Sequence, residues 1–264
     1  MAERKITFVD TTMRDGSHAV RHSFTKEQVS QIAARLDKCG VPLIELSHGD
    51  GLGGSSYTYG FSKTDEFTLM EAAAKEIKNG RLTVLLLPGI GTIADLKQAK
   101  ACGAKAVRVA THVTEADVSA EHIYAAKELD MMAVGFLMMV HTAPVERIVE
   151  EAKKMESYGA DYINLADSAG YLMPEDVKAR ITAVREAVNI PVGFHAHNNM
   201  GLAIANSLIA VQSGADFVDG TLRGLGAGAG NAQIEVLAGV MKRNGYETGL
   251  DFYGLMDLAA EVVE

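Results

Sequence analysis

The stretch LDKCGVPLIEL, residues 36–46, joins the end of an amphipathic helix to a short apolar strand through a glycine. Glycine readily adopts the left-handed backbone that commonly ends a helix. A strand that is apolar at nearly every position is typical of a parallel sheet covered on both faces. The same unit recurs as AKACGAKAVRV (99–109), MESYGADYINL (155–165) and VQSGADFVDG (211–220). The chain therefore repeats a helix–strand module.

Counting these modules predicts an α/β fold with eight strands, each followed by a helix. The strands are predicted near 5–9, 42–47, 82–87, 106–110, 132–140, 161–166, 191–195 and 216–219. The helices are predicted near 25–39, 64–79, 92–102, 115–129, 144–158, 174–188, 200–213 and 231–244, with a last one near 253–263. Eight units without a linker predict a single (β/α)8 TIM barrel domain over residues 1–264. A doubly wound open sheet is the alternative.

The composition is that of a globular protein, with 48% apolar residues, 22% charged residues and a net charge of −9. The acidic balance argues against nucleic acid or an anionic membrane as a partner. Cys39 and Cys102 each precede a glycine at a predicted helix end and are expected to be reduced. The sequence shows neither a signal peptide nor an apolar run of about 20 residues, so we expect a cytoplasmic protein.

Polar and glycine-rich segments follow the predicted strands, whereas the segments after the helices are short. These segments are DTTMRDGSH (10–18), SHGDGLGGSSYTYGFS (47–62), THVTEAD (111–117), ADSAGY (166–171), HAHNN (195–199) and DGTLRGLGAGAGN (219–231). Active sites of TIM barrels lie at the C-terminal ends of the strands. The six segments therefore predict one shared site, which the loop GDGLGGSSYTYG (49–60) is expected to cover.

A metal ion is predicted at this site. His195 and His197 are two residues apart on a strand, so both side chains point to the same face. Asp15 lies at the end of the first strand, which is near the seventh in a closed barrel. Two imidazoles and one carboxylate would leave open positions on a divalent ion. The alternative is a pair of histidines that only line a polar cleft.

Two further side chains are candidates for catalysis. Arg14 could stabilise the enolate oxygen of a 2-oxo acid, although an arginine beside Asp15 is also consistent with a structural ion pair. Histidine is the side chain that most often serves as a general base, and His18 is a candidate for that role. His48 and His141 are weaker candidates, whereas His22, His112 and His122 are expected to face solvent.

The run GLGAGAGN (224–231) has two interpretations. It could bind a phosphate at a helix N-terminus, or it could let the backbone approach closely at the barrel rim. Asn231 is a candidate either to cap the following helix or to reach the metal.

Together the motifs DTTMRDGSHAVRH, HGDGLGGSSYTYGF, ATHVTEAD, ADSAGY, HAHNN and GLGAGAGN resemble those of the 4-hydroxy-2-oxovalerate aldolases, over essentially the whole chain. That group belongs to a wider set of metal-dependent barrels with isopropylmalate synthase, homocitrate synthase and hydroxymethylglutaryl-CoA lyase.

The resemblance implies cleavage of a 4-hydroxy-2-oxo acid to pyruvate and an aldehyde. It implies Mn²⁺, or else Mg²⁺ or Co²⁺, held by Asp15, His195 and His197. Arg14 would stabilise the enolate, His18 would take the 4-hydroxyl proton, and Arg14, Ser168 and His195 would contact the substrate. Residues expected to support this site are Asn231, His48 and Asp167. The related synthases usually carry glutamine at the position of His18, which favours aldol chemistry.

The chain also departs from the aldolase pattern. The aldolases usually continue beyond this C-terminus with a segment that supplies a tyrosine and binds an acylating acetaldehyde dehydrogenase. We expect Tyr57, Tyr59 or Tyr171 to take the place of that tyrosine. We also expect the barrel to self-associate through the surface that this segment would cover. Asn198 stands where the aldolases have histidine, and Arg223 is a candidate to receive a second substrate carboxylate.

Two other functions stay open at this point. One is an acyl-CoA-dependent Claisen synthase or lyase of the same barrel group. The other is a non-catalytic barrel that binds a ligand or a partner subunit.

Overall fold

The computed structural model describes residues 4–262, which form a closed barrel of eight parallel strands in sequence order. The strands are β1 Thr7–Met13, β2 Leu43–Leu46, β3 Arg81–Leu86, β4 Ala106–His112, β5 Met132–Met138, β6 Tyr162–Asp167, β7 Val192–Ala196 and β8 Phe217–Gly220. The barrel closes where β1 pairs with β8, with Thr7 opposite Phe217 and Asp10 opposite Gly220. The predicted (β/α)8 TIM barrel is thereby confirmed, and the open-sheet alternative is wrong.

Helices surround the barrel within the described part of the chain. They are α1 Lys26–Lys38, α2 Glu66–Glu76, α3 Ile93–Ala101, α4 Ala120–Glu128, α5 Val145–Ser157, α6 Pro174–Ala187, α7 Ala203–Gln212, α8 Ile234–Arg243 and α9 Phe252–Glu261. Local sequence explains several of their ends. Thr25 and Gln28 form a capping box at the start of α1, and Gly40 follows its end with φ +85°, where a Cβ would lie 2.7 Å from the Gly249 carbonyl oxygen.

Two predicted boundaries need correction, and both affect the site. β1 continues to Met13 instead of ending near residue 9, because Asp10, Thr11 and Thr12 are buried within the strand. α8 begins at Ile234, and not near 231, because residues 231 and 233 form bridges with His197 and Thr221.

The main apolar core lies between the strands and the helices. Two smaller apolar clusters fill the barrel interior, one around Val9, Leu43 and Tyr162 and the other around Leu85, Ala110 and Phe136. None of the helices within residues 4–262 is long and apolar enough to cross a bilayer. Cys39 is buried, Cys102 is half-buried, and both are free thiols.

Candidate active site

The predicted metal ligands converge at the C-terminal end of the barrel. His195 is the fourth residue of β7, His197 follows its end, and Asp15 begins the short 3₁₀ helix after β1. His195 Nε2 lies 3.1 Å from Asp15 Oδ2 and 3.3 Å from His197 Nε2, and His197 Nε2 lies 3.6 Å from the same Asp15 oxygen. Asp15 and His195 are buried, and the His197 side chain is 10% exposed.

These separations fit a shared divalent cation. Ligands that hold one ion at about 2.1 Å lie about 3.0 to 3.4 Å from one another. Burial, opposed in part by the Asp15 charge, lowers the pKa of His197 to about 4 and keeps its imidazole neutral. Although burial opposes ionisation of Asp15, the charge of Arg14 and the hydrogen bond from His195 hold the pKa of that carboxyl well below its usual value. A carboxylate and neutral imidazoles are the forms that bind metals.

A ring of buried charges extends from this triad across the barrel interior. Asp219 Oδ2 lies 2.8 Å from His195 Nδ1 and accepts from Arg108 Nη1 at 2.5 Å. Arg108 Nε lies 2.9 Å from Glu45 Oε1. The other Glu45 oxygen accepts from Arg14 Nε at 2.7 Å. The ring closes because Arg14 Nη1 pairs with Asp15 Oδ2 at 3.2 Å.

Glu45, Arg108 and Asp219 were not predicted as part of the site. Each is the single charged residue of an otherwise apolar strand segment, in LIEL, AVRVA and FVDG. A charge at such a position has to be paired when it is buried. That signal was present in the sequence and identifies these three residues as members of an interior polar network.

Two carboxylates hold the Arg14 guanidinium and leave one of its nitrogens without a hydrogen-bond partner among residues 4–262. Its Nε and Nη1 contact Glu45 and Asp15, whereas Nη2 is buried and lacks a hydrogen-bond partner among residues 4–262. An unpaired buried donor is costly unless a ligand satisfies it. The guanidinium is therefore oriented by two carboxylates while part of it stays available to an anionic oxygen.

His18 lies on the same face of its helix as Asp15. The 3₁₀ helix Asp15–His18 has about three residues per turn, so side chains three apart are aligned. Gly49 makes room for the half-buried imidazole, because a Cβ at that position would lie 2.5 Å from His18 Nε2. The structure thus places His18 on the same side of this short helix as the ligand Asp15.

The two predicted residues after β6 differ in their surroundings. Ser168 is half-buried, and its Oγ accepts from Met139 N at 3.0 Å, so its own proton can be donated elsewhere. Asp167 is buried, and its two oxygens accept from Tyr171 N and Leu172 N at 3.0 and 3.1 Å. The Asp167 side chain therefore shapes the loop after β6, and its backbone carbonyl accepts from His197 N at 3.4 Å.

The backbone of the glycine-rich segment 224–231 lies close to the predicted metal ligands. Ala227 N donates to Asp15 Oδ1 at 3.1 Å. Gly226 has to be small, because a Cβ there would lie 2.7 Å from Asn231 Oδ1. Asn231 does not cap α8, whose N-cap is Gln233. Its backbone forms a bridge with His197, its side chain is buried, and both side-chain polar atoms lack partners within the described residues.

The remaining predicted residues lie around this centre. His48 is buried, and His141 lies 6.0 Å from Tyr171 between ring centroids. His22, His112 and His122, which were expected to face solvent, are all half-buried. His22 in particular stacks on His48 at 3.8 Å between ring centroids. Its position depends on contacts with residues 48–60, which are distant in sequence.

Several residues at the barrel rim that were candidates for substrate binding are exposed or form hydrogen bonds with nearby residues. Tyr57 is 97% exposed and Tyr171 62%, and Tyr59 is exposed as well. Arg223 is exposed, and its backbone N–H contacts the Glu235 carboxylate at 3.3 Å. Asn198 Oδ1 accepts from Ala203 N at the start of α7. A substrate role for Tyr57, Tyr59, Tyr171 or Arg223 stays a prediction.

Comparison with known proteins agrees with this geometry. The HMGL-like family model matches residues 5–262. A 4-hydroxy-2-oxovalerate aldolase of Moorella thermoacetica is 64% identical over the whole chain, which covers 78% of that relative. A protein of the same name from Carboxydothermus hydrogenoformans is 59% identical over 98% of the chain and 77% of its own length.

A solved structure shares the fold. The carboxyl transferase domain of Rhizobium etli pyruvate carboxylase, solved with pyruvate and biocytin, superposes with a TM-score of 0.86 at 22% identity. The match covers 99% of this chain and 47% of that one. At such identity the likeness shows the barrel and no more, whereas the close relatives show the family. The chain belongs to the HMGL-like family, within its group of 4-hydroxy-2-oxovalerate aldolases.

Proposed function

We propose that this protein is a divalent-metal-dependent aldolase that cleaves a 4-hydroxy-2-oxo acid into pyruvate and an aldehyde. The first substrate to test is 4-hydroxy-2-oxovalerate, for which the aldehyde is acetaldehyde. The observation that carries the proposal is the convergence of Asp15 Oδ2, His195 Nε2 and His197 Nε2 beside the Arg14 guanidinium. The names of the relatives favour this reaction over a Claisen condensation or a non-catalytic role.

Asp15, His195 and His197 would hold the cation, with Asn231 as a further candidate ligand because its buried amide has no other partner within residues 4–262. When bound, a divalent cation supplies Lewis-acid polarisation of the 2-oxo group. Mn²⁺ is the proposed ion, with Mg²⁺ and Co²⁺ as alternatives, because a mixed imidazole and carboxylate set suits several first-row metals.

His18 is the proposed base. It would accept the proton of the 4-hydroxyl group, and the oxygen lone pair would form the aldehyde carbonyl as the bond between C3 and C4 breaks. The bonding electrons pass to C3 and onward to the 2-oxo oxygen, which gives the enolate of pyruvate. Protonation at C3 then yields pyruvate.

Arg14 is proposed to stabilise this enolate oxygen through its free Nη2 donors, while Glu45 and Asp15 keep the guanidinium in place. Ser168 is proposed to donate its hydroxyl proton to the pyruvate carboxylate, since its oxygen already accepts from Met139 N. Donors oriented before the reaction stabilise developing charge at little reorganisation cost.

We further propose a single barrel domain that acts in the cytoplasm, where its free thiols Cys39 and Cys102 would stay reduced. An acylating acetaldehyde dehydrogenase as a partner, and self-association of the barrel, stay predictions. Size-exclusion chromatography of the protein alone and with such a dehydrogenase would test both.

The proposal is tested by coupling pyruvate formation to lactate dehydrogenase. We expect chelator-treated protein to lose turnover of 4-hydroxy-2-oxovalerate and Mn²⁺ to restore it, whereas Asp15→Asn should resist restoration. Thiol release from acetyl-CoA with a 2-oxo acid is measured in parallel. Full aldol turnover after chelation, or thiol release in place of pyruvate release, would contradict the proposal.

A further inference from the structure

A second group of metal-ligating side chains lies at the same end of the barrel. His18, His22 and Asp50 each present one ligand atom within 4.8 Å of those of the other two. All three residues are half-buried, and none belongs to the Asp15–His195–His197 triad. Two imidazoles and a carboxylate are a donor set that binds zinc and other late first-row metals.

The lone pair of His22 is fixed by its neighbours. Ser17 Oγ donates to the Arg14 carbonyl oxygen at 2.6 Å and lies 3.0 Å from His22 Nδ1. Because a hydroxyl has one proton, Ser17 Oγ has to accept from His22, so Nδ1 carries the ring proton. The lone pair is then on Nε2. Metal-ligating histidines commonly have their other nitrogen fixed by such a hydrogen bond.

His48 holds both neighbours without being a ligand itself. Its ring stacks on that of His22 at 3.8 Å between centroids. Its Nε2 donates to the Gly60 carbonyl at 3.1 Å, and its Nδ1 accepts from Asp50 N at 3.1 Å. Both nitrogens of His48 are therefore occupied, while His22 and Asp50 are kept in position by it.

The backbone at His22 is held in an unusual conformation. Arg21 and His22 have φ of 51° and 53°, in the left-handed region that residues other than glycine seldom adopt. His22 N donates to the Ser17 carbonyl at 2.7 Å, and the His22 carbonyl accepts from Lys63 N at 2.9 Å. This turn brings the His22 ring to 5.1 Å from that of His18. Such conformations persist where the surroundings enforce them, often at binding sites.

We propose that His18, His22 and Asp50 form a second cation site, of the zinc class, whose occupation inhibits the enzyme. The inhibitory part rests on the proposed function, in which a lone pair of His18 accepts the substrate proton. A cation bound to His18 takes that lone pair. The Asp15–His195–His197 triad shares no atom with the second site, so inhibition does not require loss of the first ion.

The test is a titration of metal-free protein with Co²⁺, monitored by calorimetry and visible absorption, which gives the number of cations bound per chain. We expect two tight sites per chain, and one in both His22→Asn and Asp50→Asn. Asparagine is chosen at position 22 because it tolerates the left-handed backbone. His112→Asn is the matched control, a half-buried histidine of the same barrel end outside the cluster, and should keep two sites. One site in the unmodified protein, or two in both variants, would overturn the second site.

Inhibition is measured separately on Mn²⁺-loaded protein. Zn²⁺ should reduce pyruvate release from the unmodified protein, and His22→Asn should need at least about tenfold more Zn²⁺ for the same reduction, which corresponds to about 1.4 kcal/mol. Equal sensitivity of protein and variant would overturn the inhibitory role. The number of Co²⁺ sites is measured without turnover. It therefore tests the second site even if the protein does not have the proposed aldolase activity.

Discussion

Replacing Asp219 by asparagine should weaken binding of the divalent cation about 10- to 100-fold. Asp219 Oδ2 lies 2.8 Å from His195 Nδ1, 2.5 Å from Arg108 Nη1 and 3.1 Å from Asn164 Nδ2. A carboxylate there holds the proton of His195 on Nδ1, and this directs the Nε2 lone pair toward Asp15 and His197. Asparagine keeps an acceptor of similar shape and loses the charge.

The magnitude follows from these contacts. A hydrogen bond to a charged group contributes about 1.5–3 kcal/mol, and one between neutral groups about 0.5–1.5 kcal/mol. Losing the charge therefore costs roughly 1–1.5 kcal/mol in the His195 bond alone, and removing one negative charge near the cation adds to it. A total of about 1.4–2.7 kcal/mol corresponds to the 10- to 100-fold change in affinity.

The assay is calorimetric titration of metal-free protein with Mn²⁺, together with the Mn²⁺ dependence of pyruvate release. Turnover at saturating Mn²⁺ should recover in large part, because Asp219 does not contact the substrate in the proposed mechanism. Asp216→Asn is the matched control, since this residue precedes β8 at the opposite end of the barrel and pairs with Arg4. A folded Asp219→Asn protein with Mn²⁺ affinity within twofold of the control would refute the reasoning.

Two further predictions concern His18 and Asp10. His18→Ala should lower kcat for 4-hydroxy-2-oxovalerate by about 10²- to 10⁴-fold. Metal analysis of the same sample should still find one Mn²⁺ bound at the Asp15–His195–His197 triad. An unchanged kcat would exclude His18 as the base. Burial raises the pKa of Asp10 to about 7 from 3.8, so the unfolded chain loses this proton first and stability should fall as pH rises from about 4 to 7, by up to about 4 kcal/mol. The free energy of unfolding of Asp10→Asn, measured in urea, should not fall over this pH range. If the free energies of unfolding of the two proteins fall in parallel as pH rises, the prediction is contradicted.

The barrel was predictable because its signals are local. Helix-ending glycines such as Gly40 and Gly159, followed by apolar strands, mark four of the modules along the sequence. The ligand pair was predictable for the same reason, since the alternation of a strand places His195 and His197 on one face. Asp15 followed from the closed order of the strands, which brings β1 and β7 to the same side.

One of the features that were missed rests on a local contact, and the other on contacts between distant segments. β1 extends through Asp10 because its carboxylate accepts from Thr12 N and Thr12 Oγ1, which satisfies a buried acid inside the strand. Glu45 and Arg108 meet across the barrel interior, so their pairing is visible only after the sheet closes. Hydrophobic patterning identifies such positions as exceptions and does not identify their partners.

The charge ring implies that protons and the cation compete for His195. Asp15, Glu45 and Asp219 face Arg14 and Arg108, so three carboxylates are balanced by two guanidinium groups and one negative charge is left over. Burial alone would lower the pKa of His195, but its hydrogen bonds to Asp15 and Asp219 raise it above the usual value. In metal-free protein the proton on this imidazole compensates the extra charge. A cation at the triad replaces that proton.

The consequence is a pH dependence of stability with a definite sign. Since the pKa of His195 is higher in the folded than in the unfolded chain, its protonation stabilises metal-free protein below about pH 6.5, and this contribution is lost as pH rises through the raised pKa. Bound cation supplies the positive charge at any pH, so the difference in Tm between Mn²⁺-loaded and chelator-treated protein should widen as pH rises above about 6.5. Calorimetry of metal binding at pH 7 should show proton release, visible as a dependence of the measured heat on the ionisation enthalpy of the buffer. A Tm difference that narrows with pH, together with buffer-independent heats, would mean that His195 is already neutral in the metal-free ring and that another group compensates its charge.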